Sequence, residues 1–245
     1  MSMGRRSHLL ARVSLAAAAF SAVAAVGVAG GAASSAVTSG RLEGVPALKH
    51  VFVIVLENEN FATSWGPTSS AHYLNSLRAQ GAFADEYFAD GHVSADNYMA
   101  MTSGQTPTPL FESDCQNWLS CKTFEQTTTG GGRSIADQLQ EAHLTWVGAM
   151  DSMAVPCQHP SATQVVDPFS VGYATRHDPF VYYPPIVDNP GRCASHVRPY
   201  SETATALSHD GPVPNFVFIS PDTCHDGHDA TCPGGKPGGL VSADS

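Results

Sequence analysis

The order of apolar and amphipathic segments predicts an α/β fold with a mainly parallel sheet flanked by helices. Residues 50–56 and 215–219 are nearly continuous apolar runs rich in β-branched and aromatic side chains, a pattern typical of buried strands. A third run at 145–149 has the same character. Helical patterns lie between these runs, and strands that alternate with helices favour parallel pairing.

The first 40 residues predict an export signal that lies outside the fold. Arg5 and Arg6 give a basic start, 15–28 is an alanine-rich apolar core, and small residues follow. The arginine pair indicates twin-arginine export. An uncleaved membrane anchor is the alternative. We therefore expect a secreted or cell-envelope protein with one domain over 41–245.

The charge balance is acidic, with 12 basic and 22 acidic residues and a net charge of −10. The predicted signal carries three arginines and no acidic residue, so its removal makes the balance more negative. This composition argues against nucleic acid as a partner, because such proteins need a basic surface. It also repels phosphate esters unless a bound cation inverts the local field.

Six cysteines, an even number, all lie after residue 110. In an exported protein this pattern predicts disulfides. Proximity along the chain favours Cys115–Cys121, Cys157–Cys193 and Cys224–Cys232, one of 15 possible pairings. Zinc binding is the alternative, but no two cysteines have the C-x-x-C spacing.

Shorter elements are predicted in the rest of the chain. These are helices at 73–78, 134–140 and 201–208, a short strand at 82–88, and long irregular segments at 105–132 and 151–200. The helix at 134–140 has Ser134 as its predicted N-cap. Leu74 and Leu77 share one face of the first helix.

The stretch from Gly91 to Gly104 predicts a helix that begins at a serine and ends at a glycine. Ser94 is the predicted N-cap, with its hydroxyl beside the free N–H groups of the first turn. Those groups and the helix dipole favour an anion such as a phosphoryl group, which a partly deprotonated serine could attack. The alternative is that Ser94 only caps the helix.

Polar side chains follow the first apolar run directly. Glu57 and Asn58 stand at the carboxyl end of the predicted strand, where open α/β sheets place their chemistry. A carboxylate and an amide oxygen can ligate a hard divalent cation. A plain polar turn is the alternative.

Four ordered motifs between residue 48 and the end of the chain carry a family resemblance. They are VLEN at 55–58, SADNY at 94–98, RHDPF at 176–180, and FISPD at 218–222 followed by HDGHD at 225–229. Together they resemble the bacterial phosphoesterase family, which contains acid phosphatases and phospholipases C. That family belongs to the alkaline-phosphatase-like superfamily, so the resemblance implies an alkaline-phosphatase-like fold.

The resemblance also implies a mechanism. Ser94 would be the nucleophile, activated by a divalent metal ion that Glu57, Asn58 and Ser94 hold. Four side chains would then contact the phosphoryl group: His92, Arg176, His177 and His228. The implied substrate is a small phosphate ester or a phospholipid head group.

Family members continue beyond a stretch such as 238–245, with further strands and an aspartate motif that completes the metal site. The sequence therefore resembles the N-terminal two thirds of such an enzyme, with the C-terminal part missing. We expect a secreted acid-phosphatase-like hydrolase without stable membrane insertion. We expect this 245-residue form to catalyse the hydrolysis poorly or not at all. The alternatives are a phospholipase C-type phosphodiesterase and a non-catalytic secreted binding protein or remnant.

Overall fold

The computed structural model describes residues 48–106, 108–122, 133–164, 166–169, 171–209 and 211–245. The export signal predicted at 1–40 lies outside these residues. The strands are β1 (Val51–Ile54), β2 (Trp146–Met150), β3 (Val197–Pro199), β4 (Phe216–Ser220), β5 (Thr231–Cys232) and β6 (Lys236–Pro237). The helices are α1 (Phe61–Trp65), α2 (His72–Leu77), α3 (Ser94–Ser103), α4 (Trp118–Cys121), α5 (Ile135–Glu141), α6 (Pro184–Val187), α7 (Pro190–His196), α8 (Tyr200–Leu207) and α9 (Gly239–Ala243).

A four-stranded parallel sheet with the order β1-β4-β2-β3 organises the fold. At its centre, Phe218 of β4 is in register with Val53 of β1 and with Gly148 of β2. β5 and β6 form a separate antiparallel pair. The predicted α/β class and the parallel pairing are confirmed. Among the described helices, none combines the length and the apolar character that a bilayer crossing requires.

The core lies against the inner strands, and every residue of β2 is buried. The Phe180 ring packs on this sheet, 4.8 Å from the Trp146 ring and 5.5 Å from the Phe218 ring between centroids. Gly148 makes this approach possible, because a Cβ at that position would lie 2.7 Å from the Phe180 ring. The tight packing fixes β2 and β4, whose carboxyl ends support the loops described below.

The helix predicted after Gly91 is confirmed as α3. Gly104 ends it with φ 64°, a left-handed conformation that favours glycine because it has no Cβ. Tyr98 and Met99 of this helix are buried in the core. The predicted cap is wrong by one residue: Val93 is the N-cap, and Ser94 is the first helical residue. The Ser94 hydroxyl is therefore free to bond elsewhere.

Two strand predictions were wrong in part. β1 is parallel as expected but not buried, since Phe52 is 48% and Ile54 61% exposed. Its place at the edge of the sheet explains this exposure, because among the described strands it has a neighbour on one side only. The strand predicted at 82–88 is absent from the structure, which has turns and irregular backbone there. Tyr87 and Phe88 are consequently exposed.

The three other helix predictions agree with the structure to within one residue at each end. The helices predicted at 73–78, 134–140 and 201–208 are α2, α5 and α8. Ser134 caps α5 as expected, in a reciprocal capping box with Asp137. The prediction that 105–132 and 151–200 are irregular was wrong in part. These segments contain the short helices α4, α6 and α7, which begin after asparagine or at proline, and the strand β3 of the parallel sheet. Residues 123–132 of the first segment lie outside the described part of the chain.

Three disulfides join Cys115 to Cys121, Cys157 to Cys193 and Cys224 to Cys232, which confirms the predicted pairing. The second closes the longest loop and ties the segment after β2 to α7. We expect alkylation of the native, non-reduced protein to add no label, and alkylation after reduction in denaturant to label all six cysteines. Intact mass spectrometry measures both. Labels on the native protein would contradict the pairing.

Candidate active site

Ser94 stands at the start of α3 because the preceding turn is held to the helix. The Asn97 side chain accepts hydrogen bonds from the backbone N–H groups of Asp90 (2.8 Å) and Gly91 (3.3 Å). Its amide nitrogen donates to the Val93 carbonyl at 2.7 Å. One side chain thus bonds to both ends of the turn, which fixes the direction in which the chain enters α3.

Glu57 is held where the exits of β1 and β4 meet. The ladder between the two strands continues past β1 through Val55, whose N–H donates to the Ile219 carbonyl at 3.1 Å. Two residues later the Glu57 N–H donates to the Asp226 carbonyl at 2.8 Å. This backbone bond brings the loop after β1 against the loop after β4.

A line of polar contacts connects four side chains at this point. The Ser94 hydroxyl donates to Glu57 Oε2 at 2.9 Å, and Glu57 Oε1 lies 2.7 Å from His177 Nε2. The other ring nitrogen of His177, Nδ1, lies 3.2 Å from Asp226 Oδ2. The sequence predicted that Glu57, Asn58 and Ser94 converge, and the side-chain oxygens of Glu57 and Ser94 are in direct contact.

The two contacts of His177 have ion-pair distances but not the alignment of a hydrogen bond. Glu57 Oε1 and Asp226 Oδ2 are therefore buried without a hydrogen-bond partner among the described residues. Glu57, His177 and Asp226 each offer one donor atom, and these atoms lie within 4.8 Å of one another. Two carboxylate oxygens and an imidazole nitrogen at this spacing fit a divalent cation, because buried polar atoms normally have a partner.

Tyr98 covers one face of His177. The two rings are stacked, with centroids 5.0 Å apart and planes 2° apart. The Tyr98 hydroxyl is also buried and has no hydrogen-bond partner in the part of the chain that the structure describes. Burial, together with the nearby Glu57 charge, raises the pKa of Tyr98 well above its usual value, so the phenol stays protonated.

Burial and pairing have opposite effects on the charges in this cluster. Burial disfavours the charged form of His177, but the carboxylates of Asp226 and Glu57 outweigh it and raise the pKa of the imidazole. Burial likewise disfavours the Glu57 carboxylate, but His177 and the Ser94 hydroxyl outweigh it and lower the pKa of that carboxyl. Without a bound cation, both shifts favour the ion pair of an imidazolium and a carboxylate.

The other predicted site residues differ in how they are placed. Arg176 Nε lies 3.5 Å from Asp114 Oδ2, and His228 Nδ1 lies 2.9 Å from Asp229 Oδ1. The His228 ring centroid is 6.0 Å from that of His177. In contrast, His92 and Asn58 are exposed, and neither side chain has a hydrogen bond within the described ranges. Asn58 has a left-handed backbone, with φ 62°.

Comparison with known proteins identifies the family of the chain. The model of the phosphoesterase family matches residues 67–236, which is more than half of the chain. The chain belongs to the phosphoesterase family. The matched region contains Ser94, His177 and Asp226, whereas Glu57 lies before it.

Two curated proteins are similar to this phosphoesterase-family chain. A probable acid phosphatase from Kluyveromyces lactis is 24% identical over 185 residues, which cover 76% of the chain and 40% of that protein. A phosphatidylinositol-3-phosphatase from Mycobacterium tuberculosis is 28% identical over 188 residues, which cover 76% of the chain and 54% of that protein. The chain thus spans about half the length of these relatives or less. No solved structure matches the chain significantly.

Sequence reasoning missed three members of the site in this phosphoesterase-family chain. Asp226 stands inside the HDGHD motif, of which only His228 was predicted to belong to the site. Asp226 follows β4 as Glu57 follows β1. Tyr98 is one helical turn after Ser94, so helix periodicity could have placed both on one side of α3. Asp114 lies in an irregular segment and has no comparable signal.

A second buried carboxyl group, that of Asp178, follows His177 directly. It is 0% exposed and accepts hydrogen bonds from the Phe180 N–H at 3.2 Å and from the Tyr173 hydroxyl at 3.1 Å. Burial outweighs these bonds and raises the pKa of Asp178 from 3.8 to about 7. The folded chain therefore keeps a proton on Asp178 at pH values where the unfolded chain loses it.

We expect the free energy of unfolding to fall as the pH rises from about 4 towards and past 7. Across that range the folded state binds the extra proton on Asp178, and above about 6.5 the raised pKa of His177 acts in the same direction. Denaturant unfolding at pH 5.5 and pH 8 measures the difference. Asp178→Asn should weaken the pH dependence, whereas Asp188→Asn, at an exposed site, should keep it. Greater stability of the parent chain at pH 8 would contradict this assignment.

Proposed function

We propose that this chain hydrolyses phosphate esters and that Ser94 is its nucleophile. The observation that carries the proposal is the contact between the Ser94 hydroxyl and Glu57 Oε2, which lies in a buried line of ionisable groups. A serine that only caps a helix needs no such partner. Family membership supports the reaction class, and the names of both relatives are those of phosphatases.

In the proposed first step the Ser94 oxygen attacks phosphorus, and its proton passes to Glu57. The bond from phosphorus to the ester oxygen breaks, and the leaving oxygen takes a proton from solvent or from His228. Water then attacks phosphorus of the phosphoseryl group, and the bond from phosphorus to the Ser94 oxygen breaks. Ser94 takes back the proton from Glu57, and the proton that the water loses replaces the one given to the leaving oxygen. His177 holds the Glu57 carboxylate in place throughout and remains paired with Asp226.

The electrostatics support a cation in this site. Three carboxylates lie beside the proposed site residues: Asp114 beside Arg176, Asp226 beside His177 and Asp229 beside His228. Phosphate is itself an anion, so these carboxylates would repel it. The carboxylates of Glu57 and Asp226 would hold a divalent metal ion, with Ser94 and Asn58 as the further ligands that the family resemblance implies. Such an ion would lower the pKa of the serine hydroxyl and neutralise charge on the phosphoryl oxygens.

Arg176 and His228 are the proposed contacts to the phosphoryl group, with His92 at the edge of the site. The side chain of Arg176 is 14% exposed and that of His228 is 29% exposed, so both are partly accessible to a ligand. His177 is 2% exposed and faces carboxylates through both nitrogens, which favours a supporting role for it. A small phosphate monoester is the proposed substrate, and a phospholipid head group is the alternative.

Export is part of the same proposal. The signal pattern at 1–40 predicts it, and three disulfides favour an oxidising compartment over the cytosol. The superfamily resemblance is proposed on the motifs alone.

Hydrolysis of p-nitrophenyl phosphate by the purified 245-residue chain tests the function. We expect slow release of nitrophenol from this form, which increases with added Mn²⁺, Mg²⁺ or Zn²⁺ and stops with a chelator. Hydrolysis that a chelator leaves unchanged would overturn the metal site but keep the reaction. Binding of inorganic phosphate without any turnover would favour the non-catalytic binding protein. Turnover of bis-(p-nitrophenyl) phosphate alone would favour the diesterase.

A further inference from the structure

Asp114 touches two parts of the site that lie far apart in the sequence. Its Oδ1 accepts a hydrogen bond from the N–H of Ala95, the residue after Ser94, at 2.9 Å. Its Oδ2 lies 3.5 Å from Arg176 Nε. One carboxylate thus links the first turn of α3 to the arginine that is proposed to contact phosphate.

The backbone around Asp114 is strained, and its surroundings hold it in place. Asp114 and Cys115 both have left-handed backbones, with φ values of 63° and 50°. The Asp114 N–H donates to the Phe111 carbonyl at 2.9 Å, and the Cys115 N–H donates to the Leu110 carbonyl at 3.0 Å. The disulfide from Cys115 to Cys121 closes the same loop. Two consecutive non-glycine residues in this conformation cost free energy, which is typical of a segment that positions a functional group.

Arg176 needs such a partner to hold a defined orientation. Its side chain is only 14% exposed, and Asp114 approaches it at Nε. Its terminal nitrogens donate no hydrogen bond within the described residues, so their N–H groups are available to a ligand. A guanidinium whose Nε is held presents its two terminal nitrogens as a fork, which matches two oxygens of a phosphoryl group.

We propose that Asp114 is a positioning residue that sets the Arg176 fork relative to Ser94. It does so through one rigid carboxylate that is bonded to the helix of the nucleophile and paired with the arginine. The effect of Asp114 on phosphate binding rests on the proposed function, whereas its contacts with Arg176 and Ala95 do not. Asp114 also occupies the Ala95 N–H, so that N–H is not available to the phosphoryl group.

The contact between Asp114 and Arg176 is tested by ¹H–¹⁵N NMR of the full chain, which requires no turnover. We compare Asp114→Asn, which keeps the size and tolerates the left-handed backbone, with Glu112→Gln, which removes a charge from an exposed neighbour. Solvent exchange of the Arg176 Nε–H should become about ten-fold faster in Asp114→Asn and stay unchanged in Glu112→Gln. An unchanged Arg176 Nε–H in Asp114→Asn would overturn the proposal.

The effect on the ligand is tested by inhibition of p-nitrophenyl phosphate hydrolysis by inorganic phosphate. Asp114→Asn and Arg176→Gln should each raise the inhibition constant and KM by about ten-fold, with a smaller change in kcat. The double variant should be no weaker than Arg176→Gln alone, because Asp114 acts through the arginine. Additive losses would show a purely structural role and overturn the proposal.

The exchange and inhibition experiments distinguish a failure of the Asp114 proposal from a failure of the proposed function. A parent chain that neither hydrolyses the ester nor binds phosphate would refute the proposed function, and the NMR comparison would still decide whether Asp114 holds Arg176. A faster Arg176 Nε–H exchange with unchanged phosphate inhibition would refute the link to phosphate and leave the function standing.

Discussion

Replacing Ser94 with alanine should lower the turnover of p-nitrophenyl phosphate by at least about 10³-fold, because the reaction loses its covalent nucleophile. The fold should survive. Val93, not Ser94, is the N-cap of α3, and alanine is a good helix former at the first helical position. Only the hydrogen bond to Glu57 disappears, which should cost about 1 kcal/mol of stability. Steady-state kinetics and denaturant unfolding measure the two effects.

Ser201→Ala is the matched control for this loss. Ser201 is an exposed serine in the first turn of α8 and has no contact with the site among the described residues. It should keep both turnover and stability. Trapping of ³²P from a labelled substrate in acid-quenched protein should label the parent chain and Ser201→Ala but not Ser94→Ala. Near-normal turnover in Ser94→Ala would show that another group attacks phosphorus.

The parts of the fold that local chemistry determines could be predicted from the sequence. α3 is an example, since a left-handed glycine ends it whatever the rest of the chain does. The buried strands β2 and β4 follow from their apolar runs in the same way. The exposure of β1 could not be predicted, because it depends on the order of strands in the sheet. An apolar run contains no information about which neighbours lie beside it.

The candidate site was predictable to the same extent. Glu57 and Ser94 could be brought together in advance, because a strand end and a helix start converge at the carboxyl edge of a parallel sheet. The pairing of His177 between Glu57 and Asp226 could not, since it requires three loops to meet at one point. The position of Asp114 could not be predicted for a similar reason, since it depends on the left-handed backbones of Asp114 and Cys115 in an irregular segment.

Replacing Glu57 with glutamine should lower turnover by about 10² to 10⁴-fold, because the amide neither accepts the Ser94 proton nor binds a cation as a carboxylate does. The change should also alter the buried histidine. The pKa of His177 is raised by two carboxylates that outweigh its burial, and the variant keeps only that of Asp226. We therefore expect the pKa of His177 to fall, which ¹H–¹³C NMR of the imidazole across a pH series measures.

Glu59→Gln is the control that separates this effect from a general loss of negative charge. Glu59 is exposed and follows Glu57 by two residues, so both variants change the net charge equally in the same loop. Glu59→Gln should keep the turnover and the pKa of His177. Turnover of Glu57→Gln within about three-fold of the parent would show that Ser94 is activated from another direction. A fall in the pKa of His177 without loss of turnover would leave Glu57 as a structural partner of the histidine, because the lost pairing would then have no consequence for the attack on phosphorus.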